Sequence, residues 1–425
     1  MPRPDLVVIG AEVPLERIAA GAVLHPFVQL RGARTGIGAG AAIGEGGPCV
    51  LEDSWAAAGA RIGTMGPVTL RNVACGPGTV LGSGAAEDAV FLGKEVSDPA
   101  ISCGLSFRVR KGSLYEEDAN SAQHTDSKMT ILFPWATLGS NVNWCDLLMA
   151  GGTGPAFDQF SEVGSGAVHF NFTPRGDKAT ATLLGNVPEG VFLRAPRIFF
   201  GGNGSLIGPA RLAFGTVTAA GERVSGEIGP ETGLQAAPPA RERAGAFDPD
   251  TYGSIKRVFD AQVRFIAELA ALDTWYAQVR ARIAQGDAER EALYAAGRGM
   301  VRLNLAERIT QLGGLAGRME RSAAKIERRS RADPRIAQQR ALARHWPDIE
   351  ACLKAHDSAQ APMPETLGHG LETALAAEGR VYTRLIRALD AGATRAGTAW
   401  LQGIIAHVAA PELLAWVPAL PGSAR

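Results

Sequence analysis

The sequence lacks the features that mark disulfide-rich, membrane-spanning and strongly charged proteins. Five cysteines in 425 residues, with no C-x-x-C pair, argue against a disulfide scaffold or a zinc knuckle. The 43 basic and 43 acidic residues balance, so no overall field attracts nucleic acid or an anionic membrane. No run approaches the roughly 18 apolar residues that span a membrane, and the first residues lack a signal peptide's basic and apolar segments. We therefore expect a cytoplasmic protein that binds neither nucleic acid nor a membrane.

Aromatic residues are also scarce, at 6%, whereas glycine is abundant, at 52 residues. An aliphatic residue followed by glycine recurs through the first half of the chain. Ile37 and Ile43 are six residues apart, and Ile43 to Ile62 is close to three such steps. Six residues per side and three sides per turn describe a triangular parallel β-helix, whose aliphatic residues point inward while glycine takes the corners. The alternative is a glycine-rich antiparallel domain, but proline and glycine recur at spaced corners and not in hairpin pairs.

The repeat occupies residues 1–230 and weakens near 97–130 and 172–179. In a stacked solenoid, such interruptions map to loops on one face, which is often the binding face. Polar residues concentrate there and could meet in space, although each could instead be a solvated corner. They are Arg108, Arg110, Lys111, His124, Lys128, Asp146, His169, Asn171, Arg175, Asp177 and Lys178.

A proline- and glycine-containing linker is predicted over residues 231–250, followed by a helical domain over 251–425. Apolar residues recur there in steps of three and four, which predicts a coiled-coil-like helical hairpin. The pattern stops at Gly286, and Asp287 is a candidate cap for the next helix. The first helix of the hairpin would place these residues along its seam: Ile255, Val258, Gln262, Phe265, Leu269, Leu272, Tyr276, Val279 and Ile283.

Two segments, Val163–Val187 and Ile207–Val224, resemble the C-terminal left-handed β-helix of the bacterial bifunctional enzyme that makes UDP-N-acetylglucosamine. That domain acetylates glucosamine-1-phosphate with acetyl-CoA. Its signature is two aliphatic–glycine steps that flank Asn-Tyr and a loop with a sugar-binding lysine. The matching residues here are Val163-Gly164, Asn171-Phe172, Lys178 and Leu184-Gly185. The resemblance covers about residues 60–232 and implies a left-handed β-helix.

The resemblance also assigns roles to residues outside this loop. Phe107-Arg-Val-Arg-Lys-Gly-Ser is similar to the family segment whose second arginine, here Arg110, holds the sugar phosphate. A substrate lysine follows eighteen residues later, where this chain has Lys128. The chain departs from the family at the catalytic histidine, where Asp146 stands, and at the tyrosine, where Phe172 stands. The family's uridyltransferase half is also missing, and helices follow the β-helix instead.

Acetyl transfer to an amine needs a general base with a pKa near the working pH. Asp146 could serve if burial raises its pKa, and His169 or His124 could serve if folding brings either to the site. Arg110 offers a bidentate fork for phosphate and Lys128 a point charge. Asn171 and Lys178 would complete the sugar site. Basic residues in the late coils would hold CoA: Arg194, Arg197, Arg211 and Arg223.

Three functions follow from these residues. The first is an acetyl-CoA-dependent acyltransferase for a phosphorylated or nucleotide-linked amino sugar, with sites between the subunits of a homotrimer and no metal. The second is a catalytically inactive β-helix that binds such sugars or serves as a scaffold. The third, a β-helix carbonic anhydrase, needs three zinc histidines on neighbouring coils, and the first half contains only His25, His124 and His169. The transferase is the function that the sequence favours.

Overall fold

The computed structural model describes residues 7–95, 101–229, 233–235 and 247–421. The first part of the chain consists of short strands, one 3-10 turn at Leu15–Arg17 and one short helix, α1, at Val187–Gly190. The strands are β1 (Val8–Ile9), β2 (Val23–Leu24), β3 (Val28–Arg31), β4 (Gly36–Ile37), β5 (Ala42–Ile43), β6 (Cys49–Glu52), β7 (Trp55–Ala56), β8 (Arg61–Ile62), β9 (Val68–Cys75), β10 (Val80–Leu81), β11 (Gly84–Phe91), β12 (Phe107–Val109), β13 (Ser113–Tyr115), β14 (Asn120–Ser121), β15 (Asp126–Leu132), β16 (Thr137–Leu138), β17 (Asn143–Met149), β18 (Glu162–Val163), β19 (Val168–Phe170), β20 (Thr182–Leu184), β21 (Phe199–Phe200), β22 (Ser205–Leu212), β23 (Thr216–Thr218), β24 (Arg223–Ile228) and β25 (Gly233–Gln235).

These strands stack as a parallel β-solenoid of about 11 turns, as the sequence predicts. One ladder runs through β1, β3, β6, β9, β11, β12, β15, β17, β19, β22 and β24, with parallel pairing at each step. A four-stranded sheet, β10-β8-β5-β2, and a six-stranded sheet, β14-β16-β18-β21-β23-β25, cover the remaining side. Residues one turn apart in the sequence therefore lie directly above one another.

The aliphatic residues of the repeat form the solenoid's interior. Ile43 and Ile62 are fully buried. The glycines that follow such residues have two different physical roles. Gly63 adopts a left-handed φ of +77°, which glycine tolerates without cost. At Gly164, an added Cβ would lie 2.3 Å from the backbone nitrogen of Gly202 on the next coil, so only glycine fits.

The solenoid continues through most of the predicted interruption near 97–130. Strands β12 to β15 lie in this stretch, and they pair in parallel with β11 or β17 or with one another. Phe107, Val109 and Leu114 fill the interior here without the glycine that marks other coils. The correction has a physical reason, because buried bulk and not the glycine marker defines a coil. Residues 96–100 lie outside the described part.

The segment around 172–179 is a loop, which separates β19 from β20. The linker predicted over 231–250 is described only in part. Its residues Gly233–Gln235 form β25, which pairs with β23 and so extends the solenoid past residue 230. Residues 230–232 and 236–246 lie outside the described ranges, and the chain is described again from Phe247.

Seven helices follow the solenoid when the first three segments are counted as one continuous helix. They are α2 (Lys256–Trp275), which continues through a π-helical turn (Tyr276–Arg280) into α3 (Ala281–Ala284), then α4 (Ala288–Glu327), α5 (Pro334–Lys354), α6 (Glu365–Glu378), α7 (Tyr382–Ala388), α8 (Ala391–Val408) and α9 (Pro411–Ala415). As predicted, Asp287 caps α4: its side chain accepts a hydrogen bond from the backbone nitrogen of Arg290.

The helix α2 is the centre of the helical region. Every residue from Phe265 to Tyr276 is buried, so this stretch is enclosed on all sides and not only along the predicted seam. It packs against α4 and α8, and Val187 of the solenoid donates to Glu268 on its surface. The arrangement therefore differs from a two-helix seam, because the solenoid and several helices share α2 as a common core.

The helix α4 lies along the length of the solenoid. It has 40 residues, which at 1.5 Å per residue is about 60 Å. Near its start Leu293 packs against Gly76, and further along Asn304 donates to the Gly112 carbonyl at 2.7 Å. Arg318 then donates to the Gly176 carbonyl at 3.0 Å. The helix thus contacts successive coils in their stacking order and covers the corner that carries the predicted catalytic residues.

Candidate functional site

Asp146 lies in a column of corner residues that have left-handed backbone conformations. Asp146 has a φ of +58°, and Met129, the residue beside it on the previous coil, has a φ of +48°. Asn72 and Asp88 form the same kind of corner on earlier coils. Asparagine and aspartate tolerate this conformation better than most residues. The corner therefore gives one physical reason for an aspartate at position 146.

The Asp146 carboxylate is buried and both of its oxygens accept hydrogen bonds. The residue is 4% exposed. Asn171 donates to Oδ2, and Arg308 of α4 donates to Oδ1 at 2.7 Å. Arg308 also donates to the Lys178 carbonyl at 3.3 Å. The structure thus joins three predicted site residues at one corner, with Arg308 as their common partner.

This arrangement limits what Asp146 can do. A buried charge needs a partner, and the Arg308 guanidinium supplies it. A general base needs a free lone pair within reach of the substrate proton. In the described conformation both carboxylate oxygens are occupied and α4 covers the corner. Asp146 therefore acts here as an anchor for α4.

His169 points into the solenoid interior. It is 3% exposed, and its ring centroid lies 6.2 Å from that of Trp144. Its Nδ1 contacts the Cys145 carbonyl, and its Nε2 is 3.0 Å from the Thr182 hydroxyl. Burial lowers the pKa of His169 to about 4. The imidazole is therefore neutral at physiological pH, and neither nitrogen faces solvent.

Arg110 and Lys128 lie next to each other on neighbouring coils and outside the core. Val109 pairs with Ser127, so the following residues, Arg110 and Lys128, are adjacent as well. Arg110 Nε donates to Asp126 Oδ1 at 2.7 Å. Lys128 is half-buried, and its ammonium has no ion pair with any described residue.

Two further cations flank this pair. The Arg108 side chain is 67% exposed and lies 4.0 Å from Asp126, and Lys111 is exposed at the turn. We call Arg108, Arg110, Lys111 and Lys128 the basic face. Three predicted phosphate- or polar-site positions therefore remain together on an open surface while the predicted catalytic residues are enclosed.

The loop from Phe172 to Ala179 is fastened to residues that precede α2. Arg175 Nε donates to the Thr251 carbonyl at 3.0 Å, and its guanidinium lies 5.1 Å from the Tyr252 ring centroid. Asp177 is buried and accepts from the Tyr252 hydroxyl at 3.1 Å. The Lys178 side chain is half-buried. The loop thus holds the two parts of the chain together.

The arginines predicted to bind CoA do not share one site. Arg194 donates to the Arg387 and Leu389 carbonyls of the helical region. Arg197 donates to the Phe157 carbonyl at 3.0 Å on a different sheet from Arg223, which is exposed on β24. Arg211 lies on β22 and lines a large cavity against α2. His124 is exposed and is not in contact with Asp146 or His169 in any described hydrogen bond.

Sequence reasoning missed Arg308, although its spacing carries a signal. Val301, Asn304, Arg308, Leu312 and Leu315 follow one another in steps of three and four, and all are buried. An arginine in such a stripe must meet an acid or carbonyl groups when the face is buried. The partner could not be read from the sequence because it lies 162 residues away.

A second buried charge cluster was also missed. Arg280, at the end of the π-helical turn, is fully buried and forms ion pairs with Glu116 at 2.9 Å and Glu117 at 2.6 Å. The Tyr382 ring centroid lies 3.6 Å from its guanidinium carbon, and Tyr276 donates to Glu116 at 2.6 Å. Burial raises the pKa of Glu116 to about 7. The cluster joins the solenoid to the helices and has no open side.

Among the described residues, no three histidine, cysteine, aspartate or glutamate side chains are grouped so that they could hold a metal ion. No described helix combines the length and apolar character that crossing a membrane requires. The chain matches no protein-family model, and none of the curated proteins compared with it gives a match. The resemblance to the sugar acetyltransferases therefore depends on the residues quoted from the sequence and on the solenoid that they form.

Proposed function

We propose that the solenoid is a non-catalytic module that binds a phosphorylated or nucleotide-linked sugar at its basic face. The observation that carries this is the contrast between two groups of predicted residues. Asp146 and His169 are enclosed and hydrogen-bonded, whereas Arg110 and Lys128 lie side by side on the outer surface. The geometry supports ligand contact at the second group and not at the first.

The chemistry of the basic face suits a phosphate group. Arg110 keeps a planar fork that can accept a second anion beside Asp126, and Lys128 adds a mobile point charge on the neighbouring coil. Arg108 and Lys111 strengthen the local field. Asp126 is the acid in contact with these cations, so the face retains net positive charge.

An acyltransferase is the second candidate, with acetyl-CoA as donor and a homotrimer as the assembly that the resemblance implies. One observation favours it: Asp146, Asn171 and the Lys178 backbone do meet at one corner. Catalysis would require Arg308 to release Asp146, so that the carboxylate could take the proton from the attacking amine. The amine would then displace the CoA thiolate from the acetyl carbonyl.

Calorimetry separates the two candidates. We expect the purified chain to bind glucosamine-1-phosphate or UDP-N-acetylglucosamine, with at least tenfold weaker binding after Arg110→Ala or Lys128→Ala. Arg71→Ala is the matched control, because Arg71 is also an exposed arginine in the solenoid but pairs with Glu52 on a different coil. No thiol should be released from acetyl-CoA in the presence of the sugar phosphate.

Two results would change the conclusion. Thiol release that Asp146→Asn abolishes would establish the acyltransferase. Absence of binding to the whole panel of sugar phosphates would leave the basic face without this function and would favour a purely structural scaffold.

A further inference from the structure

A second open site lies where the last coils of the solenoid meet the helical region. It is a cavity of about 930 Å³ between β22, α1, α2 and α8. A smaller cavity beside it shares three arginines with the large one: Arg211, Arg257 and Arg264. The basic face of the early coils is not part of either lining.

One face of α2 supplies the charged wall. Arg257, Ala261, Arg264 and Glu268 follow one another in steps of four, three and four, so they lie on the same side of the helix. Arg257 donates to the Pro209 carbonyl at 3.1 Å. Arg211 approaches from β22 on the opposite side. The cations therefore come from both parts of the chain.

Two of these arginines have no anionic partner within the described ranges. Arg211 and Arg264 are half-buried, and neither forms an ion pair or a side-chain hydrogen bond there. Lys256, by contrast, pairs with Asp260 at 2.6 Å. Half-buried guanidinium groups that lack a partner lose hydration without compensation, so they favour an anion from solution.

Glu268 lies at the inner end of the charged wall. It is 3% exposed, and one of its oxygens accepts from the Val187 backbone nitrogen at 2.7 Å. The other oxygen has no hydrogen-bond partner in the described structure and lies at the cavity. Burial raises the pKa of Glu268 to about 7, so its protonated form can donate to a bound anion at neutral pH.

The facing wall is apolar. Ile405 and Ala406 of α8, Ala409 and Leu414 line it. A ligand that contacts both walls must carry an anionic group at one end and an apolar group at the other. We propose that this cavity binds such an amphipathic organic anion, with a carboxylate or phosphate held between Arg211 and Arg264 and an apolar chain against α8.

Four probes test the two halves of the ligand separately by isothermal titration calorimetry. Octyl phosphate and octanoate carry both features, octyl glucoside has the chain without the charge, and inorganic phosphate has the charge without the chain. We expect at least one of the two octyl anions to bind at least tenfold more tightly than both octyl glucoside and phosphate. The stronger of the two identifies the head group.

Variants then locate the binding. Arg211→Gln and Arg264→Gln should each weaken binding of the octyl anion at least tenfold, whereas Arg331→Gln, an exposed arginine elsewhere, should leave it unchanged. Ala406→Trp places bulk at an exposed position of the apolar wall and should block binding without disturbing the fold. Circular dichroism and the melting temperature verify that each variant is folded.

The outcomes are distinct from those of the sugar-binding test. Arg110→Ala should not affect octyl anions, and Ala406→Trp should not affect sugar phosphates. The inference is overturned if neither octyl anion binds saturably, or if folded Arg211→Gln and Arg264→Gln variants both bind like the unmodified chain. Equal binding of octyl glucoside would also overturn it, because the arginines would then have no part in recognition.

Discussion

Arg308 and Asp146 form an ion pair of 2.7 Å across the boundary between α4 and the solenoid, with side chains that are 1% and 5% exposed. The two residues are 162 positions apart in the chain. Their contact places the guanidinium where an acyl-transfer substrate would have to approach the carboxylate. The same pair therefore influences both the stability of the protein and the function that can be assigned to it.

Removal of one partner of this pair should be costly. We expect Arg308→Met to lower the free energy of unfolding by about 3–5 kcal/mol, because Asp146 would be left buried and uncompensated. Urea denaturation measures this. The double variant Arg308→Met with Asp146→Asn should be less destabilised than the sum of the two single variants. The exposed pair Arg282–Glu372 is the control, since its loss should cost under about 1 kcal/mol. Simple additivity would show that the ion pair is energetically unimportant.

The Arg280 cluster should behave as a clamp between the two parts of the chain. Arg280→Met leaves Glu116 and Glu117 buried without their cation, so we expect a loss of about 3–5 kcal/mol. Hydrogen exchange should show the loss in both the coil that contains Glu116 and the turn that contains Arg280. Increased exchange in the helices alone would contradict a clamping role.

His169 should make stability depend on pH. Its pKa is about 4 in the folded protein and 6.5 in the unfolded chain, so the unfolded state binds more protons between these values. The contribution is therefore fully present above pH 6.5 and is lost as the pH falls towards 4, with a total of about 3 kcal/mol. Unfolding of the unmodified chain and of His169→Gln, compared across pH 4–7, isolates this term.

The comparison with His169→Gln is necessary because buried acids act in the opposite direction. The pKa values of Glu95 and Glu268 are raised by burial from 4.5 to about 7. Their contribution is present below pH 4.5 and is lost as the pH rises towards 7. If the difference between the two proteins does not change with pH, His169 does not titrate as its surroundings imply.

Two glycines should respond to alanine with opposite signs. Gly164→Ala places a Cβ 2.3 Å from the Gly202 backbone, so it should distort the stack and destabilise the solenoid by a few kcal/mol. Gly299→Ala lies inside α4 with no atom within 4 Å of the new Cβ, so it should stabilise the protein by about 1 kcal/mol. Melting temperatures that move in the same direction would show that the coil spacing is more tolerant than described.

The sequence was sufficient for the solenoid because a repeat states its own geometry. Ile37, Ile43 and Ile62 give the side length, and the structure places all three in the core. The strand alternation at Val168, His169 and Phe170 also contained usable information. It forces one of two arrangements, and the structure buries the histidine and leaves Phe170 50% exposed, which is the reverse of their polarity.

The helical covering could not be predicted in the same way. Arg280 and Arg308 look like solvated residues until their partners Glu117 and Asp146 are known, and these lie more than 160 positions away. Nothing local in the chain specifies such a pairing. For the same reason, Arg211 could be predicted as a ligand contact, but its neighbour Arg264 on α2 could not.

The length of α4 has a consequence for how the protein comes apart. A bare solenoid can fray from either end, since each turn touches only its two neighbours. Here a single rigid rod is riveted to Gly76, Gly112, Asp146 and Gly176 in succession. The intervening turns cannot peel away one at a time while the rod stays attached, so they melt together, and the two architectures share one fate.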